Sequence, residues 1–317
     1  MTTPTPPRQR PFLQVDVFTD QAYWGNALAV VLDGTGLSDA QMQRFAQWTN
    51  LSETTFLLPP TPEAAAAGAD YRVRIFTNAY EMPFAGHPTL GSCHAWLAHG
   101  GVPKDPARIV QQCQVGLVPL RREGSRLAFA APPLRRRAAD AALAQALPQA
   151  LGVAAAQLHA SQHLDNGPQH FGVLLDSVDT VLALQPDAAL LRTLMQAHGF
   201  SGLGVAARHA AAPLIARSNR EARAFGASAL AAAAPPDLEV RFFFDRGDGV
   251  AEDPITGSFN ASLAQWLIAE GHMPAPYVAA QGTCIGRDGR VHITHDSAGQ
   301  VWVGGDVATC IEGSVRL

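Results

Sequence analysis

Along the first half of the chain, apolar, β-branched and aromatic residues gather in short runs rather than in helical stripes. The runs at 12–19, 27–33, 54–58 and 71–77 predict strands. Between the second and third, Ser38 with Gln41 three residues on forms a capping box, and Met42, Phe45, Ala46 and Thr49 continue at helical spacing. That stretch predicts an amphipathic helix on the outside of a sheet. Further strands are expected at 109–120 and 126–130, followed by Pro132-Pro133 and the basic run Arg135 to Arg137. The break predicts two domains, 1–132 and 133–317, with a last strand near 310–317 returning to the first. The second half carries Ala- and Leu-rich helical patterns at 141–151 and 187–197, and strand patterns at 171–175, 238–244, 291–294 and 301–303. Its stretch 218–236 is dominated by Ala, Arg and Pro without clear period and reads as a surface insertion.

One pattern occurs twice. Val73-Arg74-Ile75-Phe76 followed by His87-Pro88-Thr89-Leu90-Gly91-Ser92 recurs as Val240-Arg241-Phe242-Phe243 followed by Asp253-Pro254-Ile255-Thr256-Gly257-Ser258. Each copy predicts a strand, a loop and then a helix whose first turn holds a proline, with Gly100 and Gly271 marking the helix ends. Neither 88–98 nor 254–269 contains an Asp, Glu, Lys or Arg, so neither helix has a charged face to give to water. Both are expected to be buried, each wrapped by its own sheet. Duplication predicts a pseudo-twofold axis with the two helix N-termini facing a shared cleft. Their unpaired N–H groups and partial positive charge would favour a carboxylate there. The alternative is that Asp253 is simply an N-cap, worth about 1 kcal/mol, and that the repeated Gly-Ser permits close packing.

Composition narrows the function. A chain of 317 residues has room for two cores, and with 47% hydrophobic and 16% charged residues it can bury them. A formal net charge of -4 offers no basic surface for nucleic acid. The Pro- and Thr-rich start through Pro11 has no apolar core and reads as a frayed terminus; with no membrane-length apolar stretch, a cytoplasmic protein is expected. Cys93, Cys113, Cys284 and Cys310 are widely spread and read as reduced thiols. No His or Cys spacing predicts a metal, and Gly199, Gly202 and Gly204 lack the strand and helix that frame a dinucleotide loop, so they read as helix-end and turn glycines. No cofactor is expected.

Glu53 lies between the capped helix and a strand, beside Leu51, Phe56, Leu57 and Leu58. A carboxyl in such surroundings is expected to have a raised pKa, which suits a general acid/base near neutral pH. The competing reading is a loop carboxylate paired with a surface arginine.

Four collinear segments carry a resemblance. Asp16-Val17-Phe18-Thr19 with Gly25-Asn26, Asn50-Leu51-Ser52-Glu53-Thr54, Pro83-Phe84-Ala85-Gly86-His87-Pro88-Thr89, and Glu252-Asp253-Pro254 with Thr256-Gly257-Ser258 together resemble the PhzF-like phenazine-biosynthesis isomerase family. The resemblance implies an α+β, diaminopimelate epimerase-like fold, in which two pseudo-symmetric domains each curl a mostly antiparallel sheet around a central buried helix. It also implies a homodimer and a cofactor-independent isomerase acting on a small carboxylate-bearing metabolite. In family terms Glu53 would move the proton between carbons, His87 and Asp253 would orient substrate and help proton traffic, and Ser52, Gly86, Gly257 and Ser258 would hold the substrate. Ala27, Asn78 and Phe259-Asn260 depart from the usual pattern and are expected at the pocket rim. Two alternatives stay open: a two-base racemase or epimerase, although no cysteine stands at His87 or Asp253, and a non-catalytic metabolite-binding relative.

Overall fold

The computed structural model describes residues 7–209, 235–247 and 249–317. The expected surface insertion at 218–236 lies, but for its last two residues, outside the described residues. The first half runs β1 (Gln9–Val17), β2 (Asn26–Val31), α1 (Asp39–Thr49), β3 (Glu53–Leu58), α2 (Pro62–Ala66), β4 (Tyr71–Phe76), β5 (Glu81–Met82), α3 (Gly86–Ala98), β6 (Ile109–Cys113), β7 (Gly116–Glu123) and β8 (Arg126–Ala130). The second runs β9 (Arg135–Ala138), α4 (Ala141–Leu151), β10 (Leu158–Asp165), β11 (Gln169–Leu175), α5 (Val178–Ala183), α6 (Ala188–His198), β12 (Gly202–Arg208), β13 (Leu238–Asp245), β14 (Val250–Glu252), α7 (Gly257–Ala269), β15 (Tyr277–Gln281), β16 (Gly289–His295), β17 (Val301–Gly305) and β18 (Val307–Arg316).

The same pairing order occurs twice. In the first half β1–β2 is antiparallel, β2–β3 parallel, β3–β4 antiparallel and β4–β6 parallel, with β6, β7 and β8 forming an antiparallel meander. Strands β10, β11, β12, β13, β15, β16 and β17 repeat that order with the same directions. Helix α3 touches both β1 and β8, the two ends of its series, and α7 touches both β10 and β17, so each sheet curls around one helix. The charge-free sequences explain this: Leu90, Cys93 and Ala95 of α3, and Phe259, Leu263, Trp266 and Leu267 of α7, are fully enclosed. Each large apolar side chain among them contributes about 1.5–3 kcal/mol. Antiparallel β8–β17 pairing joins the halves, β9 pairs with β10, and β18 returns to pair with β1.

Helix α1 has the expected capping box, Ser38 accepting from the Gln41 amide and Gln41 accepting from the Ser38 amide, and it buries Met42, Phe45 and Ala46. These join Val31, Phe56 and Phe76 in a cluster on the outer face of the first sheet.

Several expectations need correction. Gln9–Pro11 is strand rather than frayed terminus, because β18 pairs with it. The stretch 109–120 is two strands, reversed at Gly116 with φ +111°. Arg135 to Arg137 form β9, whose exposed side chains alternate around backbone bonds to β10. Gly199 does end a helix, but Gly202 and Gly204 lie within β12, where an added Cβ would sit 2.2 Å from Phe242 and 2.1 Å from Phe259. They are packing glycines, not turn glycines.

The second buried helix starts at Gly257, so Pro254 lies outside it and Asp253 is not its N-cap; Thr256 is. The repeat therefore has a different register. In β4–β5, Phe76 pairs with Glu81 five residues on, whereas in β13–β14 Phe243 pairs with Glu252 nine residues on. Allowing for the longer hairpin, Glu81-Met82-Pro83-Phe84-Ala85-Gly86-His87 corresponds to Glu252-Asp253-Pro254-Ile255-Thr256-Gly257-Ser258. Both buried helices then begin at equivalent glycines and run thirteen residues. The ion pairs agree, since Arg74 holds Glu81 as Arg241 holds Glu252. His87 is thus the counterpart of Ser258, and Asp253 of Met82.

Candidate active site

Chain reversals place the site residues. Helix α1 ends on Asn50 in the left-handed region, Leu51 and Ser52 turn, and Glu53 opens β3 opposite Leu28. Strand alternation puts Glu53 on the same face as Thr55 and Leu57. Phe56 faces the other way, into the cluster under α1, so it is not the source of the apolar surroundings expected for Glu53. His87 is the second residue of α3. Asp253 follows β14, its amide donating to the Phe242 carbonyl at 2.9 Å and its carbonyl accepting from Gln281 at 3.2 Å.

The two helix N-termini meet backbone to backbone. A Cβ on Gly86 would lie 2.7 Å from the Gly257 carbonyl carbon and 2.8 Å from the Ser258 nitrogen; one on Gly257 would lie 3.0 Å from the Gly86 Cα. Neither helix has a side-chain cap, so no capping side chain occupies the first-turn N–H groups where the two starts meet. Gly86→Ala is expected to cost about 1–3 kcal/mol, and Gly257→Ala less, as read from thermal unfolding. The reverse ranking would mean that the helices separate freely.

Around that junction lies a cavity of about 330 Å³ lined by Ser52, Glu53, Gly86, His87, Asp253, Gly257 and Ser258 together with residues of both halves. All seven sequence-predicted site residues therefore line one cleft. Glu53 Oε2 and His87 Nε2 are 3.3 Å apart but off-line for a hydrogen bond, and neither has a hydrogen-bond partner among the described residues. Burial, and secondarily the Asp253 charge, push the Glu53 carboxyl up to about 8. Burial also raises Asp253 to about 6, against hydrogen bonds from Thr256 and Asn26, and lowers His87 to about 3. At neutral pH His87 is an uncharged ring facing a carboxyl that mostly keeps its proton.

Three residues escaped the sequence reading as site residues. Asn26 Nδ2 donates to the Ile255 carbonyl at 2.9 Å, lies 3.3 Å from Asp253 Oδ1 and 3.4 Å from His87 Nδ1, and so ties the halves together behind the cleft. Its place after Gly25 in a segment that carries the family resemblance was the available signal. His170 and Tyr80 line the cleft and stood in no motif. Of the departures, Asn78 is on the rim. Phe259 turns inward onto Gly204 and Phe242, and Asn260 donates to Gln281 and to the Thr256 carbonyl.

Among the described residues no group of three or more His, Cys, Asp or Glu side chains is placed to hold a metal ion, and no helix is long and apolar enough to cross a membrane.

Two equivalent sheets, each curled around a buried helix, with the two helix starts in contact, define the diaminopimelate epimerase-like fold class. The crystal structure of the Bacillus anthracis phenazine biosynthesis protein of the PhzF family has the same fold, with TM-score 0.78 at 20% identity over 98% of this chain and 100% of that one. The PhzC-PhzF family, described as phenazine biosynthesis-like protein, matches residues 15–313, and the chain belongs to that family. It is 31% identical to trans-2,3-dihydro-3-hydroxyanthranilate isomerase of Pseudomonas aeruginosa over 96% of this chain and 99% of that protein. It is also 30% identical to antisense-enhancing sequence 1 of Schizosaccharomyces pombe, covering 95% of this chain and 97% of that protein.

Proposed function

We propose that this isomerase, without a cofactor, moves a proton between two carbons of a small carboxylate-bearing substrate, with Glu53 as the group that takes and returns it. The observation that carries the reading is the Glu53 carboxyl, its Oε2 enclosed without a hydrogen-bond partner and 3.3 Å from His87 Nε2, beside two uncapped helix N-termini. The substrate carboxylate sits at those N-termini, where N–H donors and the helix dipoles favour negative charge. Glu53 as carboxylate removes a proton from a saturated carbon, the electron pair shifts through the adjacent double bond, and the resulting carboxylic acid protonates the far carbon. Substrate and product have the same composition and Glu53 ends ionised as it began. His87 and Asp253 orient the substrate.

A two-base racemase needs matching groups at both helix starts. Here those positions are His87 and Ser258, and the position across β12–β13 that corresponds to Glu53 is Gly202. The site is chemically one-sided, which favours one acid/base group working twice.

The test is solvent deuterium uptake followed by NMR, beginning with trans-2,3-dihydro-3-hydroxyanthranilate, the compound in a relative's name. Deuterium at a new carbon with a shifted double bond is expected; exchange with inversion at one carbon would mean an epimerase. Near pH 7 a group with pKa about 8 is roughly one-tenth ionised. Base-initiated turnover should therefore rise as pH increases through about 8. A fall over the same range would show that the reaction begins by protonation instead.

A further inference from the structure

Among the described second-half residues that line the cleft, His170 is the one with a buried side-chain atom that lacks a hydrogen-bond partner. His170 lies on β11 and lines the cleft, yet only 4% of it is exposed, and its Nδ1 has no hydrogen-bond partner among the described residues. Two rings fix its orientation edge-on: Phe242 at 5.1 Å between centroids and 80°, and Phe259 at 5.8 Å and 76°. Beside it in the β10–β11 turn, the Asn166 side chain donates to the Ser258 carbonyl at 2.8 Å, which anchors the turn to the start of α7. Burial keeps the His170 ring neutral, lowering its pKa to about 3. Pro168, Phe242 and Phe244 give this wall apolar surface, and Ser201, Asp245 and Arg246 line it as well. A buried polar atom left unpaired is costly, and where a native structure keeps one at a cleft, a ligand is the natural partner.

We propose that His170 is a specificity-determining substrate contact, hydrogen-bonding a hydroxyl or amino substituent on a small, flat, unsaturated carboxylic acid whose carboxylate lies at the α3 and α7 N-termini. A neutral imidazole carries one N–H and one lone pair, and a hydroxyl or amine can match either. The aromatic edges and Pro168 suit the carbon skeleton between the two polar ends. The inference rests on the proposed carboxylate position, but its test reads binding and does not depend on turnover.

Calorimetric titration of the full chain with benzoate, and with its ortho- and meta-hydroxy and ortho- and meta-amino derivatives, compares acids that differ only in the substituent. At least one derivative is expected to bind about tenfold tighter than benzoate, the scale of one well-made hydrogen bond. The hydroxy and amino series distinguish the two substituents. His170→Phe keeps an aromatic ring without the nitrogens; it is expected to bind all these acids within about twofold of benzoate and leave benzoate affinity unchanged. His170→Gln restores a hydrogen-bonding group and is expected to recover part of the preference, which covers the case in which the Phe variant does not fold. An unchanged preference in folded His170→Phe, a preference in His170→Gln equal to the parent's, or no binding of any acid to the parent, overturns the proposal. If the preference shifts as expected while no acid or diene exchanges deuterium, the proton-transfer reading fails and the His170 contact stands.

Discussion

Glu53→Gln is expected to fold, to bind carboxylate analogues like the parent, and to lose turnover by about 10²–10⁴-fold, the contribution of a positioned general acid/base. The amide keeps the shape of the side chain and its place at the start of β3 but cannot take a proton from carbon. Stability should move the opposite way. The folded-state pKa of Glu53 is raised above its ordinary value to about 8, so folding holds the proton more tightly than the unfolded chain does. Its contribution is fully present below the ordinary carboxylate pKa and is lost as pH rises through about 8. The neutral amide has no such loss, so the variant should match or exceed the parent in thermal stability, with the gap widening from the ordinary carboxylate range up to about pH 8 and level above it. Near-normal turnover by Glu53→Gln would make Glu53 structural, and a variant less stable than the parent at high pH would contradict its burial as a neutral acid.

Much of this site was legible before the fold because its residues sit where local rules are strict. The capping box at Ser38 and the strand after it fix where Glu53 emerges, and the charge-free helical stretches could only be core. What misled was the repeat. His/Asp-Pro-x-x-Gly-Ser matches letter for letter, but in the first copy Gly91 and Ser92 lie inside α3, where Gly91 packs against Leu28 and Val17. In the second copy the same pair starts the helix. The four-residue difference in hairpin length is invisible in a motif search, because hairpins tolerate insertion while helix starts do not. His170 was illegible for another reason: its role comes from two phenylalanines distant in sequence and from a cleft to which β11 contributes one side chain.

The corrected register also shows how one fold unit was made asymmetric. Each half keeps the Arg–Glu pair that ties strand to hairpin, and each keeps the glycine that lets the helix N-termini touch. Around that shared frame the chemistry diverges: the counterpart of Glu53 in the other half is Gly202, that of His87 is Ser258, and that of Asp253 is Met82. The frame is a matter of folding, and the differences between the halves are where the proposed function resides.

The two Arg–Glu pairs, alike in topology, should differ in worth. Arg241 is 6% exposed and makes two bonds to Glu252, at 2.8 and 3.1 Å, and two more to the Val181 and Leu184 carbonyls at 3.1 and 3.0 Å. Glu252 adjoins Asp253 in the cleft, and its charge already works to raise the Asp253 pKa. Arg241→Met would leave a buried carboxylate without its counter-ion and two carbonyls without a donor, a loss of about 3–5 kcal/mol. Arg74 pairs with Glu81 where both side chains reach water more, at 15% and 18% exposure, and its second partner Asp39 is 83% exposed. Water can replace those bonds, so Arg74→Met is expected to cost less, about 1–2 kcal/mol. Denaturant unfolding of the two variants gives the ranking. A further variant, Arg241→Met with Glu252→Leu, removes both charges, and should recover much of the loss because the penalty lies in the orphaned carboxylate rather than in the missing attraction. If Arg241→Met costs no more than Arg74→Met, the buried pair is worth no more than the exposed one; if the double change recovers nothing, the lost bonds to Val181 and Leu184, and not the orphaned carboxylate, carry the penalty.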